Sequence, residues 1–127
     1  MSETRRDDDE DLTIRERDGI VIVRFNHQNL LGLRDLQHLT DRIRALIDAP
    51  GGARKLVLDF KHVVHAGSAT LGMMLAVLKA MNAHGGRLVL SHTENLGPLL
   101  KLTRADVLFE IAPDARTAMA MLGAVPE

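Results

Sequence analysis

Apolar and polar positions change rhythm along the chain, and the rhythm predicts its elements. Between Leu12 and Arg17 the residues alternate, Leu12, Ile14 and Glu16 against Thr13, Arg15 and Arg17, and Ile20–Phe25 adds a more continuous apolar run. Asp18-Gly19 between these runs is a hairpin signal, because both residues tolerate positive φ. Asn26–Gly32 reads as a loop in which Leu30 and Leu31 pack, and Leu33, Leu36, Leu39, Ile43, Leu46 and Ile47 then recur at helical spacing, with Arg34, Asp35, Asp41, Arg42 and Arg44 on other faces. That pattern predicts an amphipathic helix over a sheet, ended by Pro50-Gly51-Gly52. Leu56, Val57, Leu58 and Phe60 fit a buried strand, and Arg87–Leu90 fits another. Between them Leu71–Met81 is apolar almost throughout, with Val77 its one β-branched residue, and closes before Gly85-Gly86. This predicts a buried or partner-facing helix, and with its strands a βαβ unit.

The remainder continues the alternation. Leu96, Leu99, Leu100 and Leu102 predict a short helix with Pro98 in its early turn, where proline is tolerated. Val107–Ile111 reads as a last short strand. Pro113-Asp114 opens a final helix that can pack Ala118, Met119, Met121 and Leu122. The order is β-β-α-β-α-β-α-β-α, an α/β protein with a mixed sheet of four to five strands covered by helices. Residues 1–11 carry no apolar period and end in an acidic run, so they read as a disordered, solvated tail ahead of one domain at residues 12–123.

Composition narrows the chemistry. The chain has 127 residues, a net charge of −1 and no cysteine, which fits one domain and leaves no disulfide framework or thiolate zinc site. Aromatic residues are 2%, all phenylalanine, so the core is aliphatic and methionine-filled and base-stacking platforms are not expected. A near-neutral balance argues against nonspecific nucleic-acid binding. There is no apolar run of membrane-spanning length and no signal-peptide core near Met1, so the expectation is a soluble cytoplasmic protein.

The candidate functional residue is Ser68, in Ala66-Gly67-Ser68-Ala69-Thr70 at the strand-to-helix turn. Ser2 lies in the charged tail and Ser91 ends a strand. A hydroxyl at this turn can cap a free N–H of the first helical turn, and on local physics that simple cap is the leading reading. The functional reading is a removable charge: a phosphate here sits in the field of the helix N-terminus. The following helix adds a second signal. At helical spacing Leu71, Met74, Leu75, Val77, Leu78 and Met81 share one broad face, while Gly72, Met73, Ala76, Ala80 and Ala83 fall on the other with Lys79 at its edge. A solvent face is ordinarily charged, so this small, apolar face is either a docking surface or covered by the rest of the domain.

Other constellations are weaker. His62 and His65 flank a strand end and lack metal-ligand partners, so no metal or cofactor is expected. A hydrolase elbow needs Gly-x-Ser-x-Gly, and the run Gly67-Ser68-Ala69-Thr70 lacks the second glycine, leaving esterase chemistry a weak alternative. No P-loop is present.

Taken together, the strand Lys55–Phe60, the turn Ala66–Thr70, the helix Leu71–Met81, Gly85-Gly86-Arg87-Leu88-Val89-Leu90, Leu99–Thr103 and Leu108–Ile111 resemble the STAS domain of bacterial anti-sigma factor antagonists, over about residues 11–123. In that family the turn reads Asp-Ser-Ser-Gly-Leu-Gly and its first serine is phosphorylated. The matching run is Gly67-Ser68-Ala69-Thr70-Leu71-Gly72, so Ser68 falls on the phosphorylated position, with Gly67 in place of the aspartate and Thr70 as a second acceptor candidate. The resemblance implies a non-enzymatic partner switch. An anti-sigma factor serine kinase would bind through Gly67, Ser68, Ala69, Thr70, Gly72, Met73, Ala76, Lys79 and Ala80, phosphorylation would release it, and a serine phosphatase would reset it. A never-phosphorylated STAS subunit of a stressosome-like or lipid-transport complex is the alternative that the missing aspartate favours. Self-association as a homodimer stays open.

Overall fold

The computed structural model describes residues 3–31 and 33–124. Six strands form one sheet in the order β1 (Glu3–Asp8), β2 (Leu12–Arg17), β3 (Ile20–Phe25), β4 (Lys55–Asp59), β5 (Arg87–Ser91) and β6 (Glu110–Ala112). β1, β2 and β3 pair antiparallel, and β3 to β6 pair parallel. The helices are α1 (Leu33–Asp48), α2 (Ser68–Ala83), α3 (Gly97–Leu102) and α4 (Ala115–Met121). This is the α/β architecture expected, with the anticipated element order from β2 onward.

Strand alternation divides the interior in two. Val21, Val23, Phe25, Leu56, Leu58, Leu88 and Leu90 face α1, α2 and α3, where Leu39, Ile43, Met74, Val77 and Leu100 complete the main core. Ile20, Val57, Val89 and Ala112 face the other way and meet Ala118 of α4 and Leu122 just after it. With so few aromatic rings, one stacked pair is found among the described residues, Phe25 at the end of β3 and Phe60 just after β4, at 5.0 Å between centroids.

The turns follow residue chemistry. Asp18 and Gly19 both take positive φ, 53° and 76°, as a two-residue hairpin between right-twisted strands requires. Gly85 (φ 69°) ends α2, and the Gly86 N–H returns to the Met81 carbonyl at 2.8 Å. Asp114 caps α4 by accepting the Thr117 N–H at 2.7 Å.

Three expectations are corrected. The acidic N-terminal segment is not structureless throughout: Glu3–Asp8 pair with β2, Arg6 opposite Arg15 and Asp8 opposite Thr13, while Met1 and Ser2 lie outside the described residues. Backbone groups make an edge ladder, so a charged strand can join one, and charge is a common property of edges. β1 thereby joins the expected mixed sheet as a sixth, edge strand. The last strand is also shorter and later than Val107–Ile111, because Ala105–Val107 form a 3-10 turn first. Leu31, expected to pack with Leu30, is exposed while Leu30 is buried.

Candidate functional site

The connection from β4 to α2 is tied on several sides. The Phe60 N–H donates to the Ser91 carbonyl at 3.0 Å, and the Asn95 side-chain amide donates to the Val63 carbonyl at 3.0 Å. The segment after β3 closes the opposite side: Val64 and His65 N–H groups donate to the Gln28 carbonyl at 2.7 and 2.9 Å, and Leu30 N–H donates to the His65 carbonyl at 2.8 Å. At the start of the connection, the buried Asp59 carboxylate accepts the Arg24 Nε–H at 2.9 Å and the Lys61 N–H at 3.1 Å. The path to Ser68 is thus fixed by backbone pairing and one ion pair.

Helix α2 starts at Ser68, with Gly67 as its cap residue. Ser68 is exposed and occupies the first helical position, so it is not the N-cap that local physics favoured. The role passes to Thr70, whose hydroxyl accepts the Gly67 N–H at 3.2 Å and donates to the Leu30 carbonyl at 3.2 Å. This leaves the Ser68 hydroxyl outward. The first turn of α2 carries no acidic side chain, so an anion there meets the helix N-terminus without like-charge repulsion.

Gly67 is explained by a close approach. Its φ of −142° is extended backbone that any residue adopts, but a Cβ on it would stand 3.1 Å from the Leu31 Cδ2. Leu31 therefore crowds any side chain at position 67.

The predicted docking residues divide. Ser68, Gly72 and Lys79 are exposed and Gly67, Ala69 and Ala76 are partly so. Thr70, Met73 and Ala80 are buried, which corrects their assignment to a partner-facing surface. Met73 and Ala80 belong to the core that α2 shares with α1, which packs against it, and Thr70 lies under the Leu30 segment. Burial also removes Thr70 as a second acceptor. The outward stripe is instead Ser68, Gly72, Leu75 and Lys79, spaced at four, three and four residues. Leu75 in the stripe is 38% exposed, and on the segments leading to α2 Leu31 is 54% and Val64 46% exposed.

These three apolar residues were missed by sequence reasoning. Leu75 was placed on the packed face. For Leu31 a signal existed: of two adjacent leucines in an extended segment, only one side chain can point into the core. Val64 carried no comparable signal. Among the described residues no three His, Cys, Asp or Glu side chains gather as a metal site, and no helix is long and apolar enough to cross a membrane.

A sheet antiparallel at one end and parallel at the other, with an exposed serine opening the second crossover helix, defines a class of small α/β domain. A family model described as the STAS domain matches residues 11–118, and the chain belongs to that family. Solved structures agree in fold. A candidate anti-sigma factor antagonist of Thermotoga maritima superposes with a TM-score of 0.75 at 21% identity, over 87% of this chain and 92% of its own. An anti-sigma factor antagonist from Mycobacterium paratuberculosis gives 0.69 at 22% identity, over 87% and 91%. The anti-sigma factor antagonist SpoIIAA in its unphosphorylated form gives 0.68 at 14%, over 96% and 98%. No curated protein matches the sequence significantly.

Proposed function

We propose that this domain is an anti-sigma factor antagonist: it binds a serine-kinase anti-sigma factor in the cytoplasm and is switched off by phosphorylation of Ser68. The observation that carries the reading is an exposed serine at the first position of α2, with exposed Leu75 two turns along the same helix and exposed Leu31 and Val64 on the segments that lead to the turn. These apolar side chains give a partner something to bury. A phosphoserine adds about −1.5 to −2 charges to the head of that surface. Burying that charge without a cationic partner costs several kcal/mol, enough to move affinity by orders of magnitude. The same phosphate is favourable to the isolated domain, because it lies against the N-terminus of α2. Modification therefore opposes docking without opposing the fold. The domain is a phosphoryl acceptor and not an enzyme, and a serine phosphatase resets it.

Phosphosite mapping of the chain isolated from its host tests this, together with binding to the host's histidine-kinase-like anti-sigma protein. The expected result is one phosphoryl group on Ser68, binding by Ser68→Ala equal to that of the native chain, and binding by Ser68→Asp weaker by about tenfold or more. Equal binding by both variants refutes the switch. A second reading rests on Gly67: Leu31 occupies the space beside it where the family carries a carboxylate. On that reading the domain is an interaction subunit of a stressosome-like or lipid-transport assembly, never phosphorylated, and Ser68 is unmodified while the exposed apolar residues still bind.

A further inference from the structure

A second apolar surface lies at the β6 edge of the sheet, formed by the chain from α3 to β6. Leu102 at the end of α3 is 86% exposed and Val107 is 75% exposed, with Leu108 and Ile111 also outward. The segment is not a loose loop. Ala105 and Phe109 are buried beneath it, Arg104 takes a left-handed φ of 58° to make the turn, and the Leu108 N–H donates to the Ala105 carbonyl at 2.9 Å. The outward leucines and valine are thus held out by a fixed turn, and several adjoining large apolar side chains on a rigid surface mark an interaction site. β6 is also the last strand of the sheet, so its outer edge has no strand on it among the described residues.

We propose that this edge is a self-association surface whose occupant is a second copy of the chain, joined about a two-fold axis. Charge distribution favours this occupant. Exposed Lys101 and Arg104 stand beside Leu102, and exposed Asp106 stands beside Val107. A two-fold contact is self-complementary, so each copy's cations can meet the other's Asp106. An anionic membrane surface offers no partner for Asp106, and its mixed signs distinguish this patch from a basic lipid-binding one. Antiparallel apposition of the two β6 edges places Ile111 against Ile111 and continues the sheet from one copy into the other. The Glu110 side chain, already engaged by Arg87 (Nε to Oε2 2.9 Å), is on the α4 face, opposite to that of Ile111. The surface is separate from the Ser68 site and does not depend on that reading.

Sedimentation of the full chain from low micromolar to several hundred micromolar concentration tests the proposal. The native chain is expected to pass from monomer to dimer. The double variant Leu102→Lys/Val107→Lys is expected to stay monomeric with an unchanged thermal transition. Asp106→Lys should weaken the dimer about tenfold or more, and adding Lys101→Glu and Arg104→Glu should restore it. A native chain that is monomeric throughout, or a dimer untouched by the Leu102/Val107 double variant, overturns the proposal. So does a monomer that sediments with phosphatidylglycerol vesicles through the same residues, which assigns the patch to lipid.

Discussion

The Thr70 hydroxyl donates to the Leu30 carbonyl at 3.2 Å while accepting the Gly67 N–H, so one buried oxygen joins the start of α2 to the segment that follows β3. Both backbone groups lose their partner if that oxygen is removed. Thr70→Val keeps the shape and deletes the hydroxyl, and is expected to cost about 1–3 kcal/mol in chemical denaturation. Thr70→Ser retains the bonds and should recover most of that. Ser68→Ala, one helical position from the cap and exposed, should leave stability nearly unchanged. If Ser68→Ala destabilises as much as Thr70→Val, the division between a structural threonine and a functional serine is wrong.

Leu31 sets what position 67 can hold. Because the Gly67 backbone is unstrained, a side chain there is opposed only by the 3.1 Å approach of the Leu31 methyl group. Gly67→Asp is expected to cost about 1 kcal/mol through crowding. Leu31→Ala opens the space, so the double variant should be more stable than the sum of the two single changes allows. A double-mutant cycle measures this coupling. Additive effects would mean that Leu31 swings aside freely and does not exclude the aspartate.

A carboxylate at the β1–β2 turn makes one part of the fold sensitive to acid. Asp9 accepts the Arg42 guanidinium and the Leu12 N–H, at 2.9 Å for the latter, and these contacts hold its carboxyl well below the usual carboxylate range. A group whose folded value is depressed stabilises the protein above its unfolded value, about 3.9 for aspartate, and loses that contribution as pH falls through the folded one. The thermal transition should therefore drop on acidification below about pH 4. Asp9→Asn should show a shallower drop, with its largest deficit against the native chain at neutral pH. An unchanged acid profile in Asp9→Asn would place the acid sensitivity elsewhere, with Glu110 and Asp114 the next carboxylates held low, by Arg87 and by the Thr117 N–H respectively.

Most of the element order was legible because apolar period and turn residues agreed. Asp18-Gly19, Pro98 and Asp114 each occupy the turn or helix start that their chemistry predicts. Ser68 was legible as a position but not as a role, since its distance from the cap depends on Thr70 reaching Leu30, forty residues earlier. The outward face of α2 was misread at Met73 and Ala80 because helical spacing gives an arc without its origin. The packing of α1 supplies the origin, and a sequence has no local record of it. β1 was invisible for a related reason: its partner is the backbone of β2, and backbone groups are the same in every residue type.

Arg24 and Asp59 form an unequal pair. They are neighbours across the parallel β3–β4 ladder, and Asp59 is wholly buried while the Arg24 side chain is 30% exposed. Removing Asp59 frees a cation that water can reach. Removing Arg24 leaves a buried carboxylate with the Lys61 N–H as its remaining partner among the described contacts. Arg24→Ala should therefore be the more damaging change, at about 3 kcal/mol, with Asp59→Asn nearer 1 kcal/mol. Since the Lys61 N–H begins the path to Ser68, Arg24→Ala should also speed amide exchange across residues 61–65. Amides within β5 should be less affected at denaturant levels below global unfolding. Equal costs for the two variants, or exchange that rises uniformly over the domain, would show that the pair supports the sheet as a whole and has no particular hold on the Ser68 turn.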